Sequence, residues 1–139
     1  MAAYGESRET RASPEKVWRI WSDTSTWPRW NPDVEEVSLD GPFRSGATGT
    51  MQTRSGGKHR ITISEVAPGR SFVLESDGVP ATKLLFTCQV AAAGEGSRIS
   101  QSVSLKGPLS FLFGPLMGKR IASSFPPLLD GLATAAERE

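Results

Sequence analysis

The apolar positions of this chain change period twice. Between Ser13 and Trp30 they recur at short helical spacing, between Val34 and Leu105 they largely alternate, and from Leu109 onward they return to helical spacing over a longer stretch. Ahead of the first helical piece, Tyr4 to Ala12 alternates weakly and reads as an edge strand. Ser13-Pro14-Glu15-Lys16-Val17-Trp18 then carries a helix-start signal. A serine hydroxyl can accept from an orphan N–H of the first turn, and a proline fits the first helical position because its missing donor costs nothing there. Val17, Trp18 and Trp21 make the apolar face, and Asp23-Thr24-Ser25-Thr26 breaks it. Trp27-Pro28-Arg29-Trp30-Asn31-Pro32 can hold only a short second helix, because two prolines in five residues bar a long one.

Six strands are predicted next, each closed by turn chemistry. Val34, Val37 and Leu39 lead to Asp40-Gly41-Pro42. Thr48 to Thr53 ends at Ser55-Gly56-Gly57. His59 to Ser64 stops at Pro68-Gly69, and Ser71 to Ser76 at Asp77-Gly78-Val79-Pro80. Thr82 to Val90 closes at Gly94-Glu95-Gly96, and Arg98 to Leu105 at Gly107-Pro108. Short turns join antiparallel neighbours, so the sheet is expected to be a meander with no βαβ unit.

In the last segment Leu109, Leu112, Phe113, Leu116, Met117, Ile121, Phe125, Leu128, Leu129 and Leu132 form one helical stripe, with Lys119, Arg120, Ser123 and Asp130 mostly off it. A helix running from Pro108 to Arg138 would be roughly 45 Å long. Pro115 and Pro126-Pro127 should kink or break it. Gly114 and Gly118 leave room for a close approach where the helix crosses the sheet.

A sheet with one apolar face needs a cover, and this helix is the one long amphipathic element available. A strongly twisted sheet curls, and a curled sheet closed by a single helix leaves space. The expected fold is α+β: a curved antiparallel sheet of six to seven strands wrapped around a long, kinked C-terminal helix. Alternation puts Met51, His59, Ile61, Ile63, Phe72, Leu74, Thr82, Leu84, Phe86, Cys88, Ile99, Gln101, Val103 and Leu105 on the inner face. The polar members, His59, Thr82 and Gln101, must find a partner, a water or a ligand there.

Composition narrows the function without naming it. The chain's 139 residues suit one domain spanning 1–139. The charges balance, with 16 Lys plus Arg against 15 Asp plus Glu, and no basic run argues for nucleic acid. One cysteine, Cys88, forms no intrachain disulfide, and the first residues lack the pattern of a signal peptide, so a cytoplasmic location is expected. Cys88 reads as a small buried hydrophobe. With a single histidine and no Cys/His cluster, no metal or cofactor is expected. Gly-x-x-x-x-Gly-Lys and Gly-x-Gly-x-x-Gly units are absent.

The order of several segments resembles the polyketide cyclase/dehydrase and lipid-transport branch of the START-like (SRPBCC) superfamily. Those segments are Ser13 to Trp18, Trp27 to Pro32, Ile63-Ser64-Glu65-Val66-Ala67-Pro68-Gly69, and Gly107-Pro108-Leu109 with the leucine-rich helix after it. The resemblance implies a helix-grip fold, with strand, two small helices, six strands and a long helix. It also implies a cavity for lipids, polyketides or similar molecules, but no single reaction. The expected ligand contacts are Trp30, Asn31, Met51, His59, Ile61, Phe72, Thr82, Leu84, Phe86, Gln101, Val103, Met117, Ile121 and Phe125.

Three activities compete. The first is binding or transport of a hydrophobic small molecule. The second is cyclase or dehydratase chemistry, for which His59 is a weak acid/base candidate; a solvated strand-end histidine is its plainer reading. The third is membrane contact through Leu109 to Met117 with Lys119-Arg120, which is compatible with the first. Trp18, Trp21 and Trp27 can anchor the short helices or cage a ligand. The sequence leaves the oligomeric state open.

Overall fold

A computed structural model describes residues 4–54, 57–77, 82–108 and 117–138. Seven strands form one antiparallel sheet: β1 (Tyr4–Thr10), β2 (Val34–Leu39), β3 (Thr48–Thr53), β4 (Gly57–Ala67), β5 (Ser71–Asp77), β6 (Lys83–Ala93) and β7 (Gly96–Lys106). Their spatial order is β1-β7-β6-β5-β4-β3-β2. The meander therefore runs from β2 to β7, and the first strand returns to pair with the last. Helices α1 (Pro14–Trp21) and α2 (Trp27–Trp30) separate β1 from β2. Helical residues 117–122, called α3, and α4 (Phe125–Glu137) follow the sheet. This is the expected helix-grip arrangement.

The expected local chemistry starts α1. Ser13 Oγ accepts from the Lys16 amide at 3.3 Å, and Pro14 occupies the first turn. Val17, Ile20 and Trp21 are buried, while Trp18 is only half-buried. The Ser22 hydroxyl donates to the Trp18 carbonyl at 2.8 Å, and Asp23 caps the 3-10 turn Thr24–Thr26 through the Ser25 amide. The helix therefore breaks where Asp23-Thr24-Ser25-Thr26 predicts.

Register places the predicted inner positions of the strands on one face. Ile63, Leu74, Phe86 and Val103 align across β4, β5, β6 and β7, and Phe72, Cys88 and Gln101 make the next row. A bulge between Ser64 and Ala67 bends β4, with Glu65 at φ +49° inside it. It is held by the Val66 amide, which donates to Ser45 Oγ at 2.9 Å.

The C-terminal stripe departs from a continuous rod. Helix geometry stops at Ser123-Ser124, whose hydroxyls donate to the Arg120 and Ile121 carbonyls at 2.6 Å, and resumes at Phe125. Pro126 and Pro127 thus mark the expected break, occupying the first turn of a new helix where missing donors are harmless. Phe125, Leu128, Leu129, Leu132, Ala133 and Ala136 are the buried face of α4. Leu109, Leu112, Phe113, Gly114, Pro115 and Leu116 lie outside the described residues, as do the turn positions Ser55, Gly56, Gly78, Val79 and Pro80. Gly118 makes the close approach expected of it: a Cβ there would run into the Tyr4 ring. No helix among the described residues is long and apolar enough to cross a membrane.

The end of α4 is tied to β1. The Thr10 hydroxyl donates to the Glu137 carboxylate at 2.6 Å, and the Arg11 amide donates to the same oxygen at 3.3 Å. These bonds, the Thr10 hydroxyl foremost, hold the Glu137 carboxyl below its usual range. A depressed carboxyl contributes stability above the unfolded-state value and loses it as pH falls through the folded one. Glu137→Gln should therefore cost about 0.5–1.5 kcal/mol at neutral pH. The difference should shrink as the pH drops below about 4. Urea unfolding of both proteins at several pH values checks this.

Candidate functional site

An apolar wall begins with Phe72. It is 1% exposed and sits among Trp18, Trp21, Trp27 and Phe43 at ring-centroid distances of 5.1–6.3 Å. The indoles of the short helices have their polar edges satisfied locally. Trp27 Nε1 donates to the Trp21 carbonyl at 2.9 Å, and Trp30 Nε1 to Thr26 Oγ1 at 3.1 Å. Local satisfaction lets these rings present apolar surface without leaving a buried donor unpaired.

That surface helps enclose a cavity of about 700 Å³ between the sheet and α3 and α4. Met51, Phe72, Leu74, Leu84, Phe86 and Cys88 line it from the sheet. Met117, Ile121, Phe125 and Leu128 line it from the helices, and Trp21, Trp27, Trp30 and Val34 from the short-helix side. Burial pushes the Cys88 thiol well up, so it stays neutral and behaves as a small apolar group.

The polar lining divides by depth. Asn31, Asp33, Thr53, His59, Ser76 and Asp77 gather where β2 begins, β3 ends, β4 begins and β5 ends, so they mark one end of the sheet. Arg120 joins the lining from α3, on an exposed position. Most of these groups are engaged at home. Asn31 Oδ1 accepts from the Asp33 amide at 3.1 Å, Thr53 Oγ1 donates to the Gly57 carbonyl at 3.1 Å, and Ser76 Oγ donates to the Asp77 carbonyl at 3.1 Å. His59 Nδ1 lies 3.4 Å from an Asp77 carboxylate oxygen. Gln101 is different. It lies mid-strand on β7, it is 7% exposed, and its side chain has no hydrogen-bond partner among the described residues.

The structure brings most of the expected contact residues to this cavity: Trp30, Asn31, Met51, His59, Phe72, Leu84, Phe86, Gln101, Met117, Ile121 and Phe125. Ile61, Val103 and Thr82 are not among the residues that line it. Ile61 and Val103 face inward but are 2% and 0% exposed and line no part of the cavity. Val103 is flanked in register by the larger Tyr4 and Phe86. Thr82 is buried just ahead of β6 and also stays off the wall. Inward direction alone does not put a short β-branched side chain on a cavity surface.

Sequence reasoning missed several wall residues. Thr53 and Ser76 follow Met51 and Leu74 by two, so one more step of alternation finds them. Asp77 is seen only through its contact with His59, and Arg120 and Ser124 only through the chain segment they share with Ile121. Among the described residues no group of three or more His, Cys, Asp or Glu side chains is arranged to hold a metal.

Solved structures share this architecture. A Chromobacterium violaceum protein superposes with a TM-score of 0.75 at 19% identity, covering 99% of this chain and 98% of its own. A Thermus thermophilus protein gives 0.75 at 18%, with 99% and 98% coverage. Truncated norcoclaurine synthase from Thalictrum flavum gives 0.70 at 13%, with 99% and 94% coverage. At these identities the likeness is one of fold. No functionally curated protein matches the sequence. A family model described as "Polyketide cyclase / dehydrase and lipid transport" matches residues 1–137, so the chain belongs to that family, within the START-like (SRPBCC) superfamily.

Proposed function

We propose that residues 1–139 act as one domain that binds an apolar small molecule of the lipid or polyketide kind between the sheet and the C-terminal helices. The observation that carries this reading is the cavity of about 700 Å³, walled mainly by aromatic and aliphatic side chains. Its size falls within the usual range for small-molecule sites, and its few polar groups suit orienting a ligand. Family membership supports the same reading.

Blocking the cavity tests the proposal. Leu84 and Ile121 line it from β6 and α3 and are both half-buried. Leu84→Trp and Ile121→Trp should each lower the affinity for a neutral fluorescent aromatic, 1-aminoanthracene, at least about tenfold, since added bulk removes space and contact. Melting temperatures should change little. Equal affinity in wild type and both variants would place the binding elsewhere.

The contact between His59 and Asp77 favours a second reading, in which the cavity also hosts acid/base chemistry. A carboxylate beside one imidazole nitrogen fixes which nitrogen carries the proton, leaving the other to exchange a proton with a substrate. That an enzyme, norcoclaurine synthase, has this fold makes catalysis structurally feasible. If the reading holds, His59→Gln and Asp77→Asn abolish turnover of an active substrate and leave 1-aminoanthracene binding intact.

A further inference from the structure

The cavity's inner polar group says what kind of ligand end it accepts. Ser76 and Leu84 align with Leu105 on β7, in the row next to the polar end of the sheet. Gln101 lies four residues back along the strand, about 13 Å further in at strand rise. Its register neighbours are Cys88 on β6 and, beyond it, Phe72 on β5. Both are apolar in effect, because the buried Cys88 thiol stays neutral.

A primary amide with no protein partner on an otherwise apolar wall is left to water or to a ligand. The other two buried polar side chains on the wall, Thr53 and Ser76, donate to nearby backbone carbonyls. Gln101 has no such local exit. On its other side in register is Glu6, exposed on edge strand β1. One row on, Arg8 pairs through Nε with Asp130 at 2.9 Å and keeps a buried NH1 without a partner, and it does not line the cavity. Among the described residues Arg120 is the one cation of the lining, and it lies on an exposed position of α3.

We propose that Gln101 is the recognition group of the cavity, its amide hydrogen-bonding a neutral oxygen, carbonyl or hydroxyl, on the inner end of an otherwise apolar ligand. The proposal rests on the binding reading above and narrows it. A carboxylate at this end would lose its hydration with only a neutral amide in return. A pure hydrocarbon would leave the amide unpaired. Sites built to bond an oxygen reject analogues that lack it, because the site's own polar group is then stranded.

Three matched probes test this: 2-acetylanthracene, its oxygen-free isostere 2-isopropylanthracene, and anthracene-2-carboxylate. Each is titrated against wild type, Gln101→Leu and Gln101→Met, with binding followed by quenching of tryptophan emission. Gln101→Leu should weaken the ketone about tenfold, the worth of one buried hydrogen bond. It should leave the isopropyl compound unchanged or tighter, and Gln101→Met should behave alike. The carboxylate should bind wild type at least about tenfold more weakly than the ketone. Both variants should melt at or above the wild-type temperature, because a stranded amide has been removed. Equal losses for ketone and isostere, a lowered melting temperature in both variants, or a carboxylate binding as tightly as the ketone would each overturn the proposal. If all three probes bind wild type alike and independently of residue 101, the anchor falls and the cavity reading stands. If none binds wild type, both fall.

Discussion

Phe72→Ala should destabilise this protein by about 3–5 kcal/mol, the largest effect expected of any single truncation. Phe72 is where three parts of the fold meet. It belongs to β5, it touches Trp21 of α1 and Trp27 of α2, and it packs edge-on against Phe43 between β2 and β3 at 5.1 Å. Removing the ring forfeits the burial of a full aromatic side chain and several aromatic contacts at once. The neighbours cannot collapse freely into the gap. The Trp27 indole is held by its bond to the Trp21 carbonyl, and the gap opens onto the existing cavity. Total stabilities of about 5–15 kcal/mol leave little margin after such a loss. Urea unfolding with tryptophan emission as the probe measures it, and a loss under about 1 kcal/mol, typical of an ordinary substitution, would contradict the hub role.

Gly131→Ala should be the second most damaging change, although alanine is the better helix former by about 1 kcal/mol. A Cβ at this position of α4 would overlap the Trp30 carbonyl oxygen. That atom is backbone, so relief requires α2 to move as a body. Overpacking of this kind costs about 1–3 kcal/mol, and the expected net result is destabilisation. Since Trp30 also lines the cavity, displacement of α2 should weaken probe binding as well. At Thr134, an exposed α4 position, alanine should be neutral or slightly stabilising. If Gly131→Ala raised the melting temperature, as helix propensity acting alone would, α4 and α2 would not be in the contact described.

The fold was legible because its signals are local and redundant. Ser13-Pro14 starts a helix wherever it packs, and the alternation of Phe72, Leu74 and Ser76 or of Ile99, Gln101 and Val103 fixes strand faces without knowledge of neighbours. The site was less legible, because a wall depends on relative side-chain length. Val103 alternates as well as Gln101 does, yet it is fully buried between its register neighbours Tyr4 and Phe86, and no periodicity reports that. The break at Ser123-Ser124 was hidden for a similar reason. Two prolines mark a disturbance, and only the hydroxyl bonds to the Arg120 and Ile121 carbonyls place the stop ahead of them. Asp77 beside His59 is a contact between adjacent strands eighteen positions apart in sequence, which turn chemistry alone does not announce.

The central claim is that a small molecule occupies the space between the sheet and the C-terminal helices. Methyl-resolved NMR of the protein with 2-acetylanthracene reads this directly. The account predicts ligand-to-protein Overhauser contacts to Met51 and Leu74 on the sheet together with Ile121 and Leu128 on the helices, saturating at one ligand per chain. Contacts confined to exposed surface methyls, or shifts that never saturate, would contradict it.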